Sequence, residues 1–277
     1  MALNLTTSSA IATEMPWGIF LLYGPNGGGK TRFASTFPNP YFLVTELSAN
    51  EMKTLADEDI PIITFSNITG MAKQVEEFAA LVQRGDLPDC NTLVIDNLTS
   101  IQLLVEQELK EAGKRTKLEW DDWGKFTSLF TKMMSELNGL PIHVIWITHS
   151  KEITVTPAAV GQKPYQLGGF TLTGQSKNIF PNYSDFILYC DSVDKGNYGT
   201  EFRVHLKAEN IWGSRVRGPK EIVEKLPRHI DNHYDELALL MGWPSQEEVE
   251  DGVVSEEDVK EKPPEKPKFK EKGKKKK

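Results

Sequence analysis

Cysteine is nearly absent. The 277 residues contain two, Cys90 and Cys190, with no Cys-x-x-Cys spacing and no histidine beside them. That excludes a disulfide-stapled scaffold and a thiolate metal site, and the expected state is two reduced thiols packed as small apolar groups. Long apolar runs are missing too. No stretch approaches the roughly 20 residues of a membrane span, and no basic N-terminal region precedes an apolar one, so the expectation is a soluble, cytoplasmic protein with no membrane partner. No internal repeat is visible. An Asn-Lys-x-Asp base-reading motif is lacking, which removes the usual GTPase signature.

The net charge of −7 is unevenly spread. Gln246–Glu261 holds eight acids and one lysine, whereas Lys262–Lys277 holds nine lysines and two glutamates. These blocks cancel, so the remaining body is mildly acidic, and broad attraction to nucleic acid is not expected from it. Any such binding has to come from local basic loops, from the tail or from an assembly. Residues 1–15, rich in Ser, Thr and Ala, read as a flexible arm, 16–245 as the core, and 246–277 as a disordered acidic-then-basic tail.

What is present is Gly24-Pro25-Asn26-Gly27-Gly28-Gly29-Lys30-Thr31, which fits G-x-x-x-x-G-K-[ST]. An apolar run, Trp17–Tyr23, precedes it as a buried strand, and Arg32–Phe37 continues it as a helix. Glycines at 24, 27, 28 and 29 let successive backbone N–H groups point into one concavity that binds phosphate oxygens. Lys30 adds charge at the β- and γ-phosphates, and the Thr31 hydroxyl is placed to ligate Mg²⁺. The nucleotide-binding set is therefore Gly24, Pro25, Asn26, Gly27, Gly28, Gly29, Lys30, Thr31 and Arg32, with ATP and Mg²⁺ as cofactors.

Further strands are expected at Tyr41–Thr45, Pro61–Phe65, Thr92–Asp96, His143–Thr148 and Asp185–Cys190, with helices between them. Alternation of this kind implies an α/β fold: a mainly parallel central sheet with helices on both faces. Glu201–Lys207 and Trp212–Arg217 read as an antiparallel pair at the sheet edge. In the helix after Lys117, Trp123, Phe126, Phe130, Met133 and Leu137 share one face, with Asp121 or Asp122 as N-cap. Ser150–Gly174 reads as a long functional loop.

Thr92-Leu93-Val94-Ile95-Asp96 has the Walker B form, with Asp96 holding a Mg²⁺-bound water. Asn97 follows it, where many ring ATPases carry the water-activating glutamate. The base must come from elsewhere, and Glu46 is the candidate because it ends the strand expected beside that of the P-loop.

The P-loop, the Glu46-terminated strand, Val94-Ile95-Asp96-Asn97, Trp120-Asp121-Asp122-Trp123-Gly124 and Ile147-Thr148-His149 ahead of a long loop together resemble the phage RecA-like ATPases of the single-strand annealing or recombinase class. The resemblance covers about Trp17 to Arg217. It implies a RecA-like core that binds ATP at subunit boundaries of a ring or filament. It also implies single-stranded DNA in the loops, a host or phage single-strand-binding protein as partner, and the bacterial cytoplasm as location. His149 would sense the γ-phosphate, although those recombinases usually carry Gln there.

The loop residues Lys151, Lys163, Tyr165, Phe170 and Lys177, and a second group of Lys110, Lys114, Arg115, Lys117 and Trp120, have the charges and rings that track a DNA backbone and stack bases. Of Arg203, Lys207, Arg215 and Arg217 in the late β pair, the resemblance implies that one reaches a neighbour's nucleotide; the sequence does not choose among them, and Lys207 is the preferred candidate. The function expected is an ATP-dependent single-stranded-DNA-binding recombination protein, with Mg-dependent, DNA-stimulated hydrolysis. A helicase- or loader-type motor and a non-DNA ATP-dependent switch are the alternatives.

Overall fold

In the computed structural model, residues 17–46, 48–156 and 163–250 are described. The arm at 1–15 and most of the charged tail lie outside them. Strands β1 (Ile19–Gly24), β2 (Pro40–Thr45), β3 (Ile62–Phe65), β4 (Thr92–Ile95), β5 (His143–Val155), β6 (Tyr165–Phe170), β7 (Phe186–Asp194), β8 (Thr200–His205), β9 (Arg215–Val216) and β10 (His229–Asp231) form the sheet. The helices are α1 (Lys30–Ser35), α2 (Ile68–Arg84), α3 (Leu98–Ala112), α4 (Trp120–Asn138), α5 (Ser176–Tyr183), α6 (Lys220–Val223), α7 (Tyr234–Met241) and α8 (Gln246–Glu250), and a 3-10 segment spans Ala49–Leu55.

The strand order is β10-β8-β7-β1-β5-β4-β2-β3, parallel from β7 to β3 and antiparallel at the β8 and β10 edge. The sequence-based architecture, an α/β sheet with mainly parallel strands, holds. Central strands are apolar throughout because both faces are covered. Along β1, Leu21 and Tyr23 enter one core with Phe78 of α2, Ile101 of α3 and Phe130 of α4. Phe20 and Leu22 enter the other with Phe33 of α1, Leu55 and Leu237 of α7. This is the two-residue side-chain alternation of a strand sandwiched between helical layers. Cys90 and Cys190 are both buried and free, as expected. Among the described residues, no helix is long and apolar enough to cross a membrane.

Several sequence-based assignments are corrected. The stretch expected as a loop over Ser150–Gly174 is largely strand where it is described: β5 runs on to Val155 and pairs antiparallel with β6, Ser150 facing Phe170 and Val155 facing Tyr165, while 157–162 lie outside the described residues. Its polar residues and glycines mislead because a two-stranded projecting hairpin exposes both faces and needs no apolar alternation. β8 and β9 do not pair with each other; β9 pairs with the Phe186–Ile187 end of β7, and β8 with the rest of it. The outer strand is β10, which was not anticipated because three residues carry little pattern. Glu119 rather than Asp121 or Asp122 is the N-cap of α4, and Asp122 sits one turn in, its carboxylate accepting from the Glu119 N–H at 3.0 Å. The tail begins with a short helix, α8, at Gln246–Glu250.

His143, first in β5, is buried, and its Nδ1 accepts the Gly18 N–H at 3.0 Å. Burial pushes its pKa down from 6.5 to about 3. Such a histidine folds neutral, so the unfolded chain binds the extra proton as pH falls. Its share of stability is complete above pH 6.5 and is lost on acidification toward pH 3. Between pH 7 and pH 4, wild type is expected in denaturant unfolding to lose about 2–4 kcal/mol more than His143→Gln, a non-titrating acceptor for Gly18, because groups that titrate in both proteins cancel in the difference. An equal loss in both proteins would contradict the assignment.

Candidate nucleotide site

The loop between β1 and α1 owes its shape to close approach on one side. A side-chain carbon on Gly24 would lie 2.0 Å from the Cys190 carbonyl oxygen of β7, and one on Gly28 would lie 2.8 Å from it. Gly27 and Gly29 have φ of +73° and +83°, where other residues are strained. Behind the loop, Asn232 Nδ2 donates to the Gly29 carbonyl at 3.1 Å.

A cavity of about 510 Å³ opens over this loop. Its walls include Asn26, Gly27, Gly28, Gly29, Lys30, Thr31 and Arg32 from the motif, Asp96 from the end of β4, His149 from β5 and Phe202 from β8. Asn26 to Arg32, both metal candidates and the candidate sensor thus share one cavity, whereas Gly24 and Pro25 lie outside its lining. Parallel pairing explains the meeting: His149 lies in register with Gly24, and Ile95 with Trp146, so the carboxyl ends of β1 and β4 flank the middle of β5 near His149.

Lys30 is 6% exposed, and its Nζ donates to the carbonyls of Gly24 at 3.1 Å and Pro25 at 2.7 Å. Desolvation pulls its pKa below the usual lysine value. The Thr31 hydroxyl donates to Asp96 Oδ2 at 2.6 Å. Asp96 is buried, and desolvation lifts its pKa to about 6 despite the Thr31 hydrogen bond and the Lys30 charge. Burial, then the charge of Lys30, lowers the pKa of His149, whose Nδ1 is buried without a partner. The imidazole is therefore neutral at physiological pH and retains an unused polar atom.

These groups suit magnesium with a nucleoside triphosphate. Among the described residues there is no cluster of three or more His, Cys, Asp or Glu side chains that would form an all-protein metal cage. A hydroxyl and one carboxylate from Thr31 and Asp96 are the sparse donor set that Mg²⁺ uses when waters and phosphate oxygens complete its shell. The ion supplies charge neutralisation at the phosphates when bound.

A family model described as an AAA domain matches residues 19–214. The chain belongs to this family. It is a P-loop ATPase, and the matched span runs from the start of β1 to just before β9. No curated protein matches it.

Other expected site residues fall elsewhere. Glu46 does not end a strand beside that of the P-loop: β2 neighbours β4 and β3, and β4 and β5 separate it from β1. The residue borders a different groove, with Asn67, Gln107 and Glu108, and its backbone N–H is tied to Phe65 of β3. The expectation failed because sequence order does not give strand order. The carboxylates that do line the ATPase cavity besides Asp96 are Glu51 and Glu58, on or just after the 3-10 segment. Sequence reading passed over both because they lack a motif and sit in a short irregular element.

Of the residues expected to hold DNA, Lys151, Lys163 and Lys177 are exposed, and Tyr165 is 50% exposed. Phe170 is not available for stacking, because it packs edge-on against Tyr23, ring centroids 4.7 Å apart, at the core margin. In the second group, Lys114, Lys117 and Trp120 are exposed. Arg115 is instead bound to Glu119 and Asp122, bracing the start of α4, and Lys110 pairs with Glu106. Lys207 is also engaged within the chain, its ammonium donating to the Leu226 carbonyl, which ties the segment after β8 to that before β10. Arg203 pairs with Glu201, while Arg215 and Arg217 donate to carbonyls at 181–184. None of these four basic side chains projects as a free finger.

Proposed function

We propose that this ATPase grips single-stranded DNA through the β5–β6 hairpin in a nucleotide-dependent way and promotes annealing or strand exchange. The observation that carries the reading is the continuity of β5. One uninterrupted strand, His143–Val155, has His149 in the wall of the ATPase cavity and Lys151 exposed two residues further on. A change in what His149 faces therefore has no hinge to cross before it reaches the hairpin.

The base of the hairpin is held by polar contacts that link it to the helix after Asp96. The Thr171 N–H donates to the His149 carbonyl at 2.8 Å. Buried Gln102 of α3 accepts from the Thr173 N–H at 2.9 Å and donates to Ser176 at 2.8 Å. Lys151, Lys163, Tyr165 and Lys177 supply charge for phosphates and a ring for bases, with Lys114, Lys117 and Trp120 as a second group. Such a protein would work as a self-assembled ring or filament with nucleotide at the subunit boundary, in company with a single-strand-binding protein.

The test is steady-state ATP hydrolysis with and without a long oligonucleotide in the full chain and in a Lys151→Ala/Lys163→Ala double variant. Single-stranded DNA is expected to raise the wild-type rate at least fivefold, and the double variant to need a several-fold higher DNA concentration for the same rise. The required DNA concentration should climb with salt, as counterion release demands. Hydrolysis indifferent to DNA would favour an ATP-dependent switch acting on a protein partner.

A further inference from the structure

We infer that Phe202 is the platform on which the nucleobase of the triphosphate stacks. The inference rests on the reading of the P-loop cavity as a nucleotide site and adds the end of that site which no motif marks.

Phe202 is unusual among the phenylalanines. Of those in the described residues, it alone joins neither hydrophobic core and makes no ring–ring contact with another aromatic. It is partly exposed on β8, across from Ser192 of β7, and it lines the cavity over the phosphate loop. Its Cδ1 would lie 2.9 Å from a side-chain carbon on Gly29, so the ring edge abuts the loop at that glycine.

The phosphate end of the cavity is settled by charge and hydroxyls. Lys30 and Thr31 lie at the start of α1, Asp96 directly follows β4, and His149 lies midway along β5 in register with Gly24. In the order β8-β7-β1-β5-β4, Phe202 is on the opposite side of β1 from Asp96 and His149. The strands that bear Phe202 and His149 are three spacings apart, roughly 14 Å. A triphosphate with its terminal phosphate toward Asp96 and His149 therefore extends its nucleoside toward β8, where the one aromatic wall of the cavity stands. The remaining wall, Glu51, Thr54, Leu55 and Glu58, presents two carboxylates and a hydroxyl beside one leucine that is only 5% exposed, a set that suits sugar hydroxyls better than a π face.

Stacking discriminates a base from no base, so the readout is a comparison of ligands. Binding of Mg·ATP and of Mg·tripolyphosphate is measured calorimetrically for the full-length wild type, Phe202→Ala and Phe202→Trp. Phe202→Ala is expected to weaken ATP about tenfold or more, within the usual strength of base–aromatic stacking, and tripolyphosphate less than twofold. Phe202→Trp, which keeps a π face, should return ATP affinity to within about threefold of wild type.

If Phe202 merely props the loop from below, both ligands weaken together and tripolyphosphate reveals it. If the Ala variant binds both ligands as the wild type does, the base lies against the Thr54–Glu58 wall and the inference fails. Wild-type protein that binds tripolyphosphate but gains nothing from the nucleoside also overturns it. Failure of both ligands to bind wild type would instead remove the nucleotide reading on which it stands.

Discussion

Lys30→Ala is expected to lower ATP hydrolysis by about 10²–10³-fold while leaving the fold intact, since removal of one preorganised charged donor from a reacting centre typically has that effect. Lys30 is 6% exposed, and its ammonium holds only the loop carbonyls of Gly24 and Pro25. Burial already disfavours its charged form. A buried cation parked on two neutral carbonyls contributes little to stability, because desolvation offsets the hydrogen bonds. Its value is realised when phosphate oxygens replace those carbonyls. Hydrolysis measured beside nucleotide affinity and far-UV circular dichroism tests this: an unchanged spectrum with turnover reduced at least a hundredfold is the expected pair. Turnover within tenfold of wild type would remove Lys30 from the site.

Asp96→Asn is expected to do two opposite things. Hydrolysis should fall by a similar factor, because a neutral amide is a poor partner for Mg²⁺ beside the Thr31 hydroxyl, the uncharged donor in contact with Asp96. Stability without nucleotide should rise. Burial raises the Asp96 pKa from 3.8 to about 6, so the native state holds its proton more tightly than the unfolded chain. The penalty for the buried carboxylate is complete above pH 6 and is relieved as pH falls toward 3.8. A shift of this size corresponds to about 2–3 kcal/mol at pH 7.5, roughly 4–10 °C in Tm for a domain of this length. Asn can still accept the Thr31 hydroxyl. Thermal unfolding of both proteins at pH 7.5 and at pH 4 should show the gain at the higher pH and little at the lower. A variant less stable than wild type at pH 7.5 would mean that the carboxylate holds the fold together rather than being held by it.

Both effects concern groups that were legible in the primary structure. Lys30, Thr31 and the P-loop glycines are bound to consecutive positions, because a phosphate cradle is built from neighbouring N–H groups and needs no distant chain. The Asp96 position was readable since an apolar run closing on an acid is a local pattern. The layered α/β fold was equally readable, as strands buried on both faces and helices buried on one leave different periodicities.

Long-range placement was a different matter. Glu46 closes its strand with an acid much as Asp96 follows β4, yet its strand lies three places from that of the P-loop, with β5 and β4 between, and Glu51 and Glu58 line the cavity in its stead. Arg115 and Lys207 look like free cations in sequence and are consumed by partners at Asp122 and Leu226. The residues after Ser150 have a loop composition and form a hairpin.

By itself, then, the amino-acid order determined the chemistry that depends on neighbours in the chain: the phosphate loop, the metal carboxylate and the α/β layering. Only the tertiary structure decided strand order, which carboxylates and which ring share a cavity, and which cations remain free. The physical reason is that these depend on residues separated by tens to hundreds of positions, such as Gly29 with Phe202 or Gly24 with Cys190, whose meeting is set by sheet pairing and not by local pattern.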